Sequence, residues 1–302
     1  MAKKSKNSKG SSKGYFSFDW GKGSGLDYVA VLKVFAIAVV LAGIGVGFYF
    51  VEGFVKEAPN VGHYITGLKF ESPKWVGQEL LGKIKLGATG NQKQILINES
   101  LAAQTAFNLQ KIAWIYNVRV VIDGSTIDVG CQWRKPVALF RAGDKDVFVA
   151  SDLTVLDHVA GLSLPIVELR GIGAATAPAV GQVWERDDVA AAITLLGQLE
   201  TMDEMQTKDK PLLYHIAAVD VGNFGNRKAK NMPQIVLFAK DGTNVNWGAP
   251  LGQSSKYFEA TDEEKLAMLY DYYKSHGRLS GLDVKYIELR IPQGQVPTPT
   301  LN

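Results

Sequence analysis

Residues 34–51 read VFAIAVVLAGIGVGFYFV, an apolar run without a charged side chain. At 1.5 Å per residue this run forms a helix of roughly 27 Å, close to the hydrocarbon thickness of a bilayer. The chain of 302 residues contains no second run of this kind. We therefore predict one transmembrane helix over 28–52, with everything after it on one side of the membrane.

The two flanks of the run differ in charge. Residues 1–27 hold six lysines and two aspartates, a net +4, so the rest of the chain carries −1 of the total +3. Lysine before a membrane helix keeps that end in the cytoplasm. We expect a disordered basic cytoplasmic tail over 1–27 that contacts membrane lipid, and an extracytoplasmic bulk. A cleaved signal peptide would end at an A-x-A-like site, which residues 52–60, EGFVKEAPN, do not offer.

Composition narrows the function classes. A nearly neutral external part argues against nucleic acid as a partner. Cys131 is the only cysteine, which excludes an intrachain disulfide and a cysteine-based zinc site. The four histidines do not stand at metal-binding spacing, and no phosphate-binding loop follows a strand. We find no catalytic constellation, and the sequence predicts no enzyme, no cofactor and no metal.

The residue pattern beyond the membrane run changes near Pro136. Before it, a strand at 64–70, helices at 73–84 and 98–110, and a hairpin of 116–122 with 126–132 make a compact α/β unit. Cys131 is interpreted as a small buried hydrophobe of that hairpin. After Pro136 the pattern is mostly β, with two helices at 187–202 and 261–276 and strands at 138–141, 146–150, 154–157, 166–169, 212–221, 234–238, 244–247 and 285–291.

The last predicted strand has period-2 alternation. One face carries Ile287, Leu289 and Ile291, and the other carries Tyr286, Glu288 and Arg290. A late strand is often an edge strand, and an open edge can accept a strand from another chain. The charged residues Glu288 and Arg290 could equally prevent a strand of another chain from pairing with this edge. Both interpretations stay open.

Three local patterns, in this order, resemble the FtsQ/DivIB family of bacterial cell-division proteins. Residues 113–120, AWIYNVRV, are similar to the family's P-W-V-x-x-A-x-V. Residues 134–140, RKPVALF, are similar to R-x-P-V-A-x-W. The third pattern joins GTNVNWG at 242–248, EKL at 264–266 and IELRIPQG at 287–294.

The resemblance implies an α+β chain with a single N-terminal transmembrane helix, a small POTRA-type α/β domain and a larger β-rich domain with two helices. The implied divisions are a tail at 1–27, the helix at 28–52, the POTRA-like domain at 58–135, the β domain at 136–296 and a flexible tail at 297–302. It also implies a non-enzymatic scaffold at the division site that binds small bitopic proteins of the FtsB and FtsL type, and other division proteins.

Carried onto this chain, the partner-binding edge covers residues 286–295. The partner-binding residues are expected to be Trp247, Tyr286, Glu288, Arg290, Ile291 and Gly294. A partner segment would add a strand by main-chain hydrogen bonds, and outward side chains would set its specificity. We expect Arg290→Glu to weaken partner binding without unfolding the domain.

Two other interpretations compete with the division scaffold. One is a POTRA-containing protein of envelope assembly or secretion, although repeated POTRA units or a β-barrel pattern would then be expected. The other is a membrane-anchored enzyme of the cell envelope, which would need a site that the sequence does not display.

Overall fold

The computed structural model describes residues 28–57, 64–90, 92, 94–143, 145–173, 176–240, 242–279 and 286–292. The chain divides into two compact units, Met1–Val61 and Gly62–Asn302. In the first unit, helix α1 spans Tyr28–Glu57. Its stretch Val31–Glu52 is the one helix of the described residues that is long and apolar enough to cross a membrane. The predicted tails at 1–27 and 297–302 lie outside the described residues.

The second unit begins with the order strand–helix–helix–strand–strand, as predicted. These elements are β1 (Gly67–Phe70), α2 (Gln78–Thr89), α3 (Leu101–Gln110), β2 (Ile115–Asp123) and β3 (Thr126–Trp133). The central strand β3 lies parallel to β1 and antiparallel to β2. Gly124, at φ +55°, permits the tight turn of the hairpin. We call residues 64–133 the small-sheet region.

Helix α2 begins later than the sequence predicts, at Gln78 rather than at Pro73. The carbonyl of Pro73 accepts a hydrogen bond from the amide of Val76 at 3.1 Å, so this segment forms a turn. The chain then passes close to a neighbouring loop, where a Cβ at Gly77 would lie 2.5 Å from the carbonyl oxygen of Gly161. The helix therefore starts only after this close approach.

The next connection is shorter than predicted. Helix α2 runs on into the loop that the sequence predicts over 86–94, and Gly90 ends it in the left-handed conformation (φ +60°). Helix α3 begins at Leu101 rather than at Asn98. The side-chain oxygen of Asn98 accepts a hydrogen bond from the amide of Ser100 at 3.1 Å, which makes a turn before the helix.

The large-sheet region, residues 136–292, begins where the sequence predicts a domain boundary. Its eight strands are β4 (Pro136–Ala142), β5 (Lys145–Ala150), β6 (Val155–Asp157), β7 (Val167–Arg170), β8 (Ile216–Asp220), β9 (Ile235–Ala239), β10 (Asn244–Gly248) and β11 (Tyr286–Glu288). They form one mixed sheet in the order β11-β10-β9-β8-β7-β4-β5-β6. Helices α4 (Asp187–Gln206) and α5 (Asp262–His276) share a hydrophobic core with this sheet.

One predicted strand is shortened at its start. The sequence predicts a strand over 212–221, but β8 covers only Ile216–Asp220, because a 3₁₀ turn precedes it. The carboxylate of Asp203 on α4 accepts hydrogen bonds from the amides of Leu212 and Leu213 at 2.8 and 3.0 Å. The long-range tie to α4 thus sets the conformation of this apolar segment.

Strand β5 contributes to two cores. Val149 packs in the core with α4 and α5, whereas its neighbour Phe148 packs in the core of the small-sheet region. Trp114 contacts Phe148 edge to face at 5.9 Å, and its indole nitrogen donates to Asp157 at 3.1 Å. Lys83 of α2 forms an ion pair with Asp157. The small-sheet region is therefore packed against the β4–β6 end of the large sheet.

Candidate partner-binding edge

Strand β11 lies at one end of the large sheet. It runs parallel to β10, with Asn244 opposite Tyr286 and Asn246 opposite Glu288. Within the described part of the chain, no strand pairs with its outer side. The amide of Leu289 donates inward to the carbonyl of Asn246 at 3.2 Å. Because successive residues point their backbone groups to opposite edges, the groups of Tyr286 and Glu288 point outward.

Burial confirms the predicted alternation over residues 286–289. Ile287 and Leu289 are buried in the core, whereas the side chain of Tyr286 is 57% exposed. Ile291 is half-buried and lines a cavity beside the strand. Strand β11 ends at Glu288, before the predicted end at residue 291, and residue 285 lies outside the described residues. An outer face with one exposed aromatic and an open backbone edge is what strand addition requires.

Glu288 and Arg290 form a pair on the outer face. The guanidinium donates to both carboxylate oxygens, at 2.8 and 2.9 Å, and Asn246 donates to the same carboxylate at 3.1 Å. Burial of Glu288 opposes its charge, but the hydrogen bonds from Arg290 and Asn246 outweigh burial and lower the pKa of this carboxyl group. Arg290 also donates to the carbonyl of Asn231 at 3.1 Å.

This pairing changes how Arg290 is interpreted. Its side chain is half-buried and holds β11 to the loop around Asn231, so it is not a free recognition group. The variant Arg290→Glu would place a second carboxylate beside Glu288, and also near Glu259, whose charge acts on Arg290. We therefore expect Arg290→Glu to disturb the local fold, contrary to the expectation from sequence.

Trp247 lies beside the edge strand, but its side chain is buried. It lies on β10 and is 0% exposed, in the core beneath the sheet. The ammonium of Lys265 lies 5.4 Å from the centre of its ring. Burial removes Trp247 from the side chains that a partner could touch, so it supports the edge from below. The last predicted site residue, Gly294, and the rest of 293–295 lie outside the described residues.

Beneath the edge lies a buried ionic cluster. Lys265 is 0% exposed, and its ammonium pairs with Glu259 at 2.6 Å. The same carboxylate accepts the amide of Ala249 at 2.8 Å. Gly248 has φ +95°, and a Cβ there would collide with the carboxylate of Glu259 and lie 2.5 Å from the side chain of Arg290. The glycine that ends the 242–248 motif thus makes room for both charged side chains.

A surface cavity of about 310 Å³ adjoins the edge. The residues that line it include Lys230, Met232, Tyr257, Phe258, Glu259, Arg290 and Ile291. Sequence reasoning missed Lys230, Met232 and Phe258. Their signal was weak, because they lie in two irregular segments, 222–233 and 249–260, that have neither helical nor strand periodicity.

The segment 222–233 is held at its base by charges. Asp188, at the start of α4, accepts hydrogen bonds from Arg186 at 2.7 Å and from Arg227 at 2.9 Å. Burial opposes the charge of Asp188, but the two guanidinium groups outweigh burial and lower the pKa of its carboxyl group. Arg227 also donates to the carbonyl of Val221. The loop is therefore fastened to the large sheet and to α4.

The described residues outside this edge were also considered for catalysis and metal binding. Cys131 is half-buried on β3, and burial raises the pKa of its thiol, which disfavours the reactive thiolate. In the described ranges, no three or more His, Cys, Asp or Glu side chains are grouped so that they could hold a metal ion. The open edge of β11 and the adjoining cavity are therefore the candidate binding features of the described residues.

The sequence matches no model of a known protein family, and it matches no curated protein sequence.

Proposed function

We propose that this chain is a membrane-anchored, non-enzymatic scaffold of the bacterial cell-division complex. It binds small bitopic partners of the FtsB and FtsL type by adding a strand to β11. The open outer edge of β11 carries this proposal, because Tyr286 and Glu288 present their backbone groups there. The three motif resemblances support the choice of pathway. Residues 134–140 lie at the entry to the large sheet, and residues 242–248 contain strand β10, which pairs with β11.

The proposed arrangement places the N-terminus in the cytoplasm and the unit Gly62–Asn302 outside it. Helix α1 contains an apolar stretch of 22 residues, long enough to span a bilayer. The lysine excess before it supports this orientation. The small-sheet region has the strand and helix order expected of a POTRA-type domain, which supports a role in recruitment to the division site.

The location in growing cells tests the pathway. A fluorescent protein fused to the N-terminus would mature in the cytoplasm, so a signal there also reports the orientation. A band at the division site is the expected result. A uniform membrane signal through the whole cell cycle would contradict the division scaffold and favour a POTRA-containing protein of envelope assembly or secretion.

A matched pair of variants tests strand addition. Tyr286→Pro removes an outward backbone amide from an edge strand, where proline is tolerated, and leaves the inward ladder intact. Tyr286→Ala removes the same side chain but keeps the amide. We expect co-purification of the small bitopic partners with the full-length chain to fall much further for Tyr286→Pro. Equal retention by both variants would contradict main-chain pairing at β11.

A further inference from the structure

Helices α4 and α5 end beside each other. The ammonium of Lys274, in the last turn of α5, donates to the side-chain oxygen of Gln206, the last residue of α4, at 2.5 Å. The ammonium of Lys210, which follows α4, donates to the carbonyl of Gly277, which follows α5, at 2.6 Å. Because the carbonyl groups at a helix C-terminus carry partial negative charge, these cations stabilise the two helix ends.

The start of β8 and the end of β9 lie at the same place. The ring of His215, just before β8, packs against the ring of Tyr273 on α5 at 5.3 Å. The amide of Lys240, just after β9, donates to the carbonyl of His215 at 2.9 Å. The hydroxyl of Tyr273 donates to the carbonyl of Lys210 at 3.1 Å. These contacts gather six basic side chains, which we call the basic end: Lys208, Lys210, His215, Lys240, Lys274 and His276.

The positive charges of the basic end are not neutralised by neighbouring acids. None of its side chains forms an ion pair with an acidic side chain of the described residues. Asp209, in the same turn as two of the lysines, is exposed and joins none of these pairs. Burial lowers the pKa of His215, and the positive charges of Lys210 and Lys240 lower it further. The four lysines therefore carry the charge of this surface at neutral pH.

A structural role explains only part of the basic end. Lys210 and Lys274 hold the two helix ends together. Lys208 and Lys240 are exposed, and their ammonium groups have no hydrogen-bond or ion-pair partner in the part of the chain that the structure describes. Concentrating four exposed lysines at one place costs repulsion, which an anionic ligand would relieve.

Exposed apolar side chains accompany the lysines. Met205, in the last turn of α4, is 68% exposed, and Tyr214, next to His215, is 47% exposed. Lysines beside a tyrosine and a flexible apolar side chain are typical of surfaces that lie in the interfacial layer of a membrane. There the ammonium groups contact lipid phosphates and the apolar groups enter between the headgroups. A soluble polyanion would use the lysines but would give Met205 no role.

We propose that the basic end binds an anionic lipid surface, with its four lysines at the headgroup phosphates and Met205 and Tyr214 between the headgroups. The inference rests on the membrane anchoring proposed above and is independent of strand addition at β11. Because an anchored chain always faces a bilayer, even a weak lipid contact is populated at the resulting effective concentration. Lipid composition would then decide whether the large-sheet region is held at the membrane or free of it.

The test uses the full-length chain in nanodiscs of phosphatidylcholine, with or without the anionic lipid phosphatidylglycerol. A fluorophore is attached at Ser275→Cys, an exposed position in the last turn of α5, in a Cys131→Ala background that leaves one thiol. Nitroxide groups on the lipid headgroups quench a fluorophore that lies at the membrane surface. We expect quenching in the anionic nanodiscs alone, and its loss at high salt, where the attraction is screened.

Matched lysine variants sharpen the result. The combined variant Lys208→Gln, Lys210→Gln and Lys240→Gln removes three charges, each contributing roughly fivefold to affinity for an anionic surface. We expect the ratio of docked to free protein to fall about a hundredfold, so that quenching disappears.

The control variant combines Lys145→Gln, Lys230→Gln and Lys256→Gln. It removes the same charge from exposed positions elsewhere in the large-sheet region and should be quenched like the wild type. Met205→Ser should weaken quenching several-fold, because it removes an apolar group that enters the headgroup layer.

The possible failures are distinguishable. Quenching in both lipid compositions, quenching in neither, or quenching that survives the variant of the basic end would overturn the lipid contact. An acidic protein as the true ligand of the basic end would give the second of these results. If α1 is not an anchor, the chain will not incorporate into nanodiscs, and the membrane anchoring itself falls. An incorporated chain with an unquenched fluorophore leaves the anchoring intact and removes only this inference.

Discussion

The two ends of the large sheet are built in opposite ways. At the β6 end, the amide of Val155 donates to Gln182 at 2.9 Å and its carbonyl accepts the amide of Gly181 at 2.7 Å, so the outer edge is closed. The small-sheet region also covers one face there. At the β11 end, the strand has three residues, and no other strand of the described residues pairs with its outer edge. A short edge with a charged side chain limits unspecific pairing, so the contrast is consistent with the proposal that one end stabilises the fold and the other binds a partner.

The closed end should be the more sensitive to loss of a side chain. Trp114→Ala removes a fully buried ring together with its hydrogen bond to Asp157, and we expect the free energy of unfolding to fall by about 4 kcal/mol. Tyr286→Ala at the open end should change it by less than about 0.5 kcal/mol. Denaturant unfolding of the full-length chain in detergent measures both. Equal losses of unfolding free energy for the two variants would contradict the proposed difference between the two ends of the sheet.

Beneath the open end, the ionic cluster should contribute the next largest effect. Lys265→Met leaves the carboxylate of Glu259 without its cation, and we expect a loss of about 3 kcal/mol. Lys274→Met, an exposed position of the same helix, should cost less than about 0.5 kcal/mol. The double variant Lys265→Met with Glu259→Leu should recover most of the loss. No recovery would mean that the ion pair is not the source of the effect.

Two glycines of the 242–248 motif distinguish the effect of a steric clash from the effect of backbone strain. Gly242 and Gly248 both have positive φ, but only at Gly248 would a Cβ collide with Glu259 and Arg290. Gly242→Ala should cost about 1 kcal/mol through backbone strain alone, and Gly248→Ala about 2 kcal/mol or more. The same unfolding measurement compares them. A larger loss at Gly242 would contradict the close approach at Gly248.

The smallest expected effect is a pH dependence at the open end. Because folding lowers the pKa of Glu288, the charged pair with Arg290 stabilises the protein above the ordinary value of 4.5. That contribution is lost as the pH falls through the lowered pKa of the folded state. Glu288→Gln should therefore lose less stability than the wild type between neutral pH and this acidic range. Parallel pH curves for the two proteins would contradict the assignment.

Much of the fold could be predicted from local pattern. The hairpin at Gly124 followed from its turn residues, and the capping box of α5 is present, with Thr261 and Glu264 bonding each other's backbone amides at 3.2 and 2.8 Å. The apolar segment at Leu212 could not be resolved this way, because a distant carboxylate on α4 decides its conformation. Local periodicity carries no information about such a partner.

The sequence predicted the candidate site only where its backbone forms a regular strand. The alternation of β11 located Tyr286 and the buried face correctly. The motif placed Trp247 near the edge, but it does not say which face of the strand carries the side chain, so burial of the ring could not be predicted. Phe258 and Lys230 come together through two irregular loops, whose shapes depend on the buried side chains of Lys265 and Asn223.

Strand β5 carries side chains of both cores on one backbone, Phe148 in one and Val149 in the other. Local unfolding of the small-sheet region would expose the face of β5 that is opposite the larger core. We therefore expect both regions to unfold in a single cooperative event. A ligand that binds only the native state stabilises that whole unit. Backbone amides around Trp114 should then exchange with deuterium more slowly when a partner occupies β11, although the partner touches none of them.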